Sequence, residues 1–73
     1  MHQLYMLAEI HAGTVRYISD LQEALGIACY AVAHARFQTL AMRRLAARGP
    51  DRTIRITDEG RRAFRRDKWR LAP

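Results

Sequence analysis

The stretch SDLQEALGI, residues 19–27, decides how this chain is read. Ser19 offers a helix N-cap, with a cap one or two residues earlier as the alternative, and Gln22 three residues later completes the spacing of a capping box. Leu21 and Leu25 stand four apart, so a two-turn helix presents both to one side. Gly26 then breaks the pattern, and Ile27 is apolar immediately after it. A short helix, a glycine turn, a buried aliphatic residue and a second helix together form the pattern of a helix-turn-helix.

Downstream, the second helix is expected over about 28–48. Its first part, ACYAVAHA (28–35), is apolar or small on nearly every face, so periodicity singles out no stripe. The reading places Val32 toward the core, with Tyr30 and His34 on the opposite side. Phe37, Leu40, Ala41 and Leu45 supply a clearer buried face, with Arg43, Arg44 and Arg48 outward. This shift of the stripe predicts a kink or break near residues 35–39. Gly49-Pro50-Asp51 reads as the helix stop. In TIRIT (53–57), Ile54 and Ile56 alternate with polar residues, the pattern of a half-buried strand. Thr57 then caps a last helix whose first turn carries Asp58 and Glu59, where the helix dipole favours them. Phe64 and Trp69 are its expected anchors, and Arg61, Arg62, Arg65, Arg66, Lys68 and Arg70 decorate the rest.

Upstream, Gln3–Ala12 places Leu4, Leu7, Ala8 and His11 at helical spacing, with Ile10 beside them and Gly13 as the stop. TVRYI (14–18) is β-branched and aromatic, hence a very short strand or an extended connector.

A chain of 73 residues makes one domain, and one that buries only about 60% of the surface its unfolded form exposes. Twelve alanines favour close-packed helices. Cys29 is the sole cysteine, which excludes a small secreted scaffold stapled by disulfides. MHQLYMLAEIHAG lacks a signal-peptide pattern, and no stretch approaches the roughly 18 apolar residues that span a bilayer. A cytoplasmic protein is expected. The formal charge is +6, divided as −1 over residues 1–36 and +7 over 37–73. Such asymmetry points to a polyanion: nucleic acid first, an acidic membrane surface or acidic protein next.

In this order, the elements resemble the winged helix-turn-helix domains of bacterial regulators such as the MarR, ArsR and PadR types. The likeness covers about residues 4–66, with a basic C-terminal helix continuing to about 70. It is carried by SDLQEALGI (19–27) as the helix-turn-helix entry, LAARG (45–49) as the end of the recognition-helix region, and IRITDEGRRAF (54–64) as the returning wing strand and following helix. The interval from Gly26 to Gly49 is a few residues longer than in such domains. The wing reads as abbreviated, because only Pro50, Asp51 and Arg52 separate the helix end from the strand, and TVRYI is the alternative partner for TIRIT. The resemblance implies a mainly α fold with a small β element, in one winged helix-turn-helix domain. It also implies a sequence-specific protein for double-stranded DNA, a small transcriptional regulator without a cofactor.

Base contacts must come from the early part of a helix in the major groove, and phosphate contacts from forked guanidiniums. Tyr30, His34 and Gln38 are the candidates for base edges or sugars, with Arg36 close by, while Ala31 and Ala35 permit close approach. Arg16, Arg43, Arg52 and Arg55 are the candidates for phosphates. The alternative is a protein-interaction module on the same scaffold, binding a partner through the 28–38 surface. A charge-driven architectural or RNA-binding role stands third. A homodimer through the final helix, by Phe64 and Trp69, is a further expectation, with a monomer still open. Cys29 reads as a small buried thiol rather than a redox sensor. His2, His11, His34 and Cys29 lack tight metal-ligand spacing, so no metal is assigned. No catalytic constellation emerges, and no enzyme is expected. The arginines of the last helix are not segregated from its apolar residues, which weakens a membrane-surface reading.

Overall fold

The structure, a computed structural model, describes residues 2–71. Three helices, α1 (His2–Ala12), α2 (Ile18–Ala24) and α3 (Tyr30–Met42), precede a hairpin of β1 (Ala46–Arg48) and β2 (Ile54–Ile56). Helix α4 (Asp58–Asp67) follows, and a 3₁₀ turn over Lys68–Leu71 closes the described chain. The fold is mainly helical with a small antiparallel two-stranded sheet.

Helix α1 stops at Gly13, whose φ of 78° is open to glycine at no steric cost. It buries Met6, Leu7 and Ile10, so its apolar stripe is rotated from the expected one; Leu4 and Ala8 are half-buried and His11 is exposed. TVRYI is not a strand. Residues 14–17 form a connector, and Ile18 already belongs to α2. The connector still meets the hairpin once, where the Ile54 N–H donates to the Arg16 carbonyl at 2.7 Å.

The N-cap of α2 is Tyr17, two residues before Ser19 and so the earlier of the two readings. Asp20 decides this, because its carboxylate accepts from the backbone N–H groups of both Arg16 and Tyr17 at 3.1 Å each. Those donors would otherwise be left without partners at the helix start. The end of α2 has the pattern of a Schellman motif. Ile27 N–H donates to the Gln22 carbonyl at 2.9 Å and Gly26 N–H to Glu23 at 3.2 Å, with Gly26 at φ 64°. The turn between α2 and α3 is therefore built as the glycine implied.

Helix α3 is unbroken over residues 35–39 and ends at Met42, not Arg48. Its end repeats the Schellman pattern. Leu45 N–H donates to Leu40 at 3.0 Å and Arg44 N–H to Ala41 at 3.0 Å, with Arg44 held at φ 63°. Leaving the helix there frees Ala46–Arg48 to pair with Ile56–Ile54 in register. The hairpin accordingly has an outgoing strand, three residues long, in a stretch that the sequence reading assigns to helix. Gly49-Pro50-Asp51 belongs to the hairpin turn, closed by Arg52 N–H to the Gly49 carbonyl at 3.0 Å. Pro50 takes the second position, where its fixed φ fits.

Thr57 caps α4 as expected, accepting from Gly60 N–H at 3.0 Å, while its hydroxyl donates to the Arg44 carbonyl at 2.6 Å. Gly60 packs so closely on the Leu45 carbonyl that a Cβ would collide with it. Helix and post-α3 turn are thus stitched together. Phe64 is half-buried and stacks on His11 with ring centres 4.6 Å apart. Trp69 is 67% exposed and anchors nothing in the core. One core unites Met6, Ile18, Leu21, Phe37, Leu40 and the two strand isoleucines.

Candidate nucleic-acid interface

The phase of α3 is set by Ala33, Phe37 and Leu40, all buried at 2% exposure or less. Counting about 100° per residue, the side turned away from the core carries Ala31, Val32, Ala35, Gln38, Thr39 and Met42, and each of these is exposed. Val32 therefore faces out, 41% exposed, contrary to the sequence reading. Ala33 takes the inward position beside it. The outward face has no charged side chain, and the Thr39 hydroxyl donates back to the Ala35 carbonyl at 3.2 Å.

Tyr30 and His34 lie together on one flank of α3, with ring centres 6.1 Å apart. Tyr30 is exposed and His34 half-buried. Gln38 continues that flank onto the outward face. Arg36, half-buried, lies on the opposite flank. Arg36 borders an open cleft of about 470 Å³ with Tyr5, Leu25, Ile27 and Val32. Cys29 also borders this cleft and is exposed, not buried as expected.

The four phosphate candidates do not form one cluster. Arg16 and Arg55 meet across a shallow basin of about 360 Å³, joined there by His11 and by Arg61, which the sequence reading had not singled out. Arg52 sits in the hairpin turn at φ 69°. Beside it, Asp51 accepts from the Thr53 hydroxyl at 2.6 Å and the Thr53 N–H at 3.2 Å. These bonds, the hydroxyl first, hold the Asp51 carboxyl below the usual carboxylate range. Arg43 turns the other way: its guanidinium donates to the Gln3 side-chain carbonyl on α1. It borders a groove with Arg66 and Arg70 instead.

Helix α4 explains the division. Its buried side carries Gly60, with Ala63, Phe64 and Asp67 half-buried, so Arg61 and Arg65 fall on one flank and Arg62 and Arg66 on the other. Spacing of four within each pair was the signal in the sequence that could have separated them. Arg61 pairs with Asp58 at 2.8 Å and Arg66 with Asp67 at 3.2 Å. Among the described residues no other arginine meets a carboxylate. Nor do those residues contain a group of three potential metal ligands; the His2 side chain lies outside them. No described helix is long and apolar enough to cross a membrane. No protein-family model, curated protein or solved structure matches the chain.

Proposed function

We propose that the chain is a winged helix-turn-helix protein that binds double-stranded DNA sequence-specifically, as a small transcriptional regulator. Helix α3 is the recognition helix, and exposed arginines hold phosphates. The observation that carries this reading is the surplus of exposed guanidinium groups without a carboxylate partner around a helix-turn-helix with an open outward face. Neutralising phosphates releases condensed counterions, so such a surface gains affinity from any duplex. The helix order and the hairpin, bridged on its far edge by the Arg16 connector, support the winged arrangement.

The chemistry of the outward face adds a preference. Glutamine matches the adenine edge with both its groups, and apolar side chains pack against the thymine methyl. Gln38 with Ala31, Val32 and Ala35 therefore favours A·T pairs. Random-sequence selection at two salt concentrations tests both parts. Affinity falls steeply with salt, and selected sites are A·T-rich. Replacing their thymines by deoxyuridine, which removes only the methyl groups, weakens binding several-fold. Absence of duplex binding at low salt overturns the reading.

A second reading is favoured by the same apolar face. Val32, the 83% exposed Met42 and the adjoining Tyr5–Ile27 cleft suit a protein partner. Co-purification of a stoichiometric protein that shields Tyr30 and Val32, without DNA affinity, selects it.

A further inference from the structure

Arg43, turned away from the other phosphate candidates, shares a second surface with the arginines on the far flank of α4. An open groove runs between α1, the turn after α3, and α4. It consists of two adjoining hollows of about 250 and 450 Å³ that share Arg43, Leu45, Ala63 and Arg66 as walls. Leu4, Leu45 and Ala63, all half-buried, supply its apolar floor. Arg43, Arg62, Arg66 and Arg70 stand around that floor against Glu59 and Asp67, a local balance of +2. The bond from Arg43 to Gln3 fixes one of these guanidiniums over the start of α1 before any ligand arrives.

We propose that this groove binds an acidic peptide segment of a partner protein, one that carries an aliphatic side chain between its carboxylates. Charge complementarity names the sign of the ligand, and the floor names the rest. Duplex phosphates would engage the guanidiniums and leave the leucine floor empty. The rim carboxylate of Glu59 repels a continuous polyanion, whereas discrete glutamates can be spaced to avoid it. A flat bilayer meets arginines on the rim before it reaches a recessed floor. An aliphatic side chain fills the floor while flanking carboxylates form forked pairs with the arginines. The surface uses α1 and α4, not the outward face of α3, so the proposal stands whether or not the protein binds DNA.

The test uses a short fluorescein-labelled peptide with glutamates on both sides of one leucine, and its counterpart with alanine replacing the leucine. Fluorescence anisotropy shows the leucine peptide binding about tenfold tighter, the difference coming from apolar burial. Arg66→Glu with Arg70→Glu weakens it at least about tenfold. Arg61→Glu with Arg65→Glu, an equal change of net charge on the other flank of α4, alters it by no more than about twofold. All four positions are exposed, and circular dichroism confirms that the variants remain folded. Leu4→Gln removes part of the floor and lowers preference for the leucine peptide; should that variant unfold, the peptide pair alone carries this arm. Equal affinity for both peptides overturns the proposal, as does equal weakening by the two arginine pairs. It is also overturned if duplex DNA, phosphatidylserine vesicles or a second copy of the chain displaces the peptide from this face at matched charge concentration.

Discussion

Arg44 occupies the position where a helix with a Schellman end usually carries glycine. Its φ of 63° places a Cβ in the left-handed region, which costs about 1 kcal/mol for most residues. The bonds from Leu45 N–H to Leu40 and from the Thr57 hydroxyl to the Arg44 carbonyl hold it there. Arg44→Gly should therefore raise stability by about 0.5–1 kcal/mol, measured by urea unfolding. Gly60 is the converse case. Its backbone conformation is ordinary for a helix, but an added Cβ would strike the Leu45 carbonyl and come within 2.8 Å of Ile56 Cγ1. Gly60→Ala should cost about 1–3 kcal/mol, despite the better helix propensity of alanine. The same unfolding experiment checks it.

At the scale of elements, the hairpin turn combines strain with exposure. Arg52 is an exposed side chain at φ 69°, and the DNA reading assigns it a phosphate. Arg52→Gly should raise the unfolding midpoint while weakening DNA binding across all sequences alike. A variant that binds DNA undiminished removes Arg52 from the interface. The hairpin also shows where sequence reasoning reached its end. Ile54 and Ile56 announced β2 by alternation, Thr57 announced α4, and Gly26 announced the turn into α3. Ala46-Ala47-Arg48 announced nothing, because these residues favour helix on their own. Only tertiary contacts, with Arg44 in a conformation that no glycine advertised, turn them into a strand. Val32 was misplaced for a related reason: ACYAVAHA offers no contrast between faces. Stepping back from Phe37 by one turn would have found Ala33 as the inward residue. For the site, the outward placement of Gln38 was legible; Tyr30 is exposed as expected, but the premise behind that expectation, an inward Val32, does not hold. The separation of Arg43 from Arg16 and Arg55 was not, since it depends on which side of α1 and α4 the turn after α3 meets.

Across the whole molecule, the arginines do not gather on one surface: Arg16 and Arg55 share one basin, while Arg43, Arg62, Arg66 and Arg70 line a separate groove. If Arg16 and Arg55 hold DNA phosphates from their shared basin, alanine at either should reduce the slope of log affinity against log salt by about one. Alanine at Arg62, on the far flank of α4, should leave that slope unchanged. Filter binding across a salt series distinguishes them, and equal effects at all three positions would mean that the duplex contacts both surfaces.

Among the described residues, one backbone bond, from the Ile54 N–H to the Arg16 carbonyl, joins the connector before α2 to the hairpin. Among the described residues no neighbouring ladder bond backs it, and the connector is otherwise held by side-chain burial, Val15 foremost. Deuterium uptake at Ile54 should consequently outpace uptake at Leu40 in the middle of the core, because partial opening is enough to expose it. That one proton would then report how often the connector lifts from the edge of the hairpin without the rest of the domain unfolding.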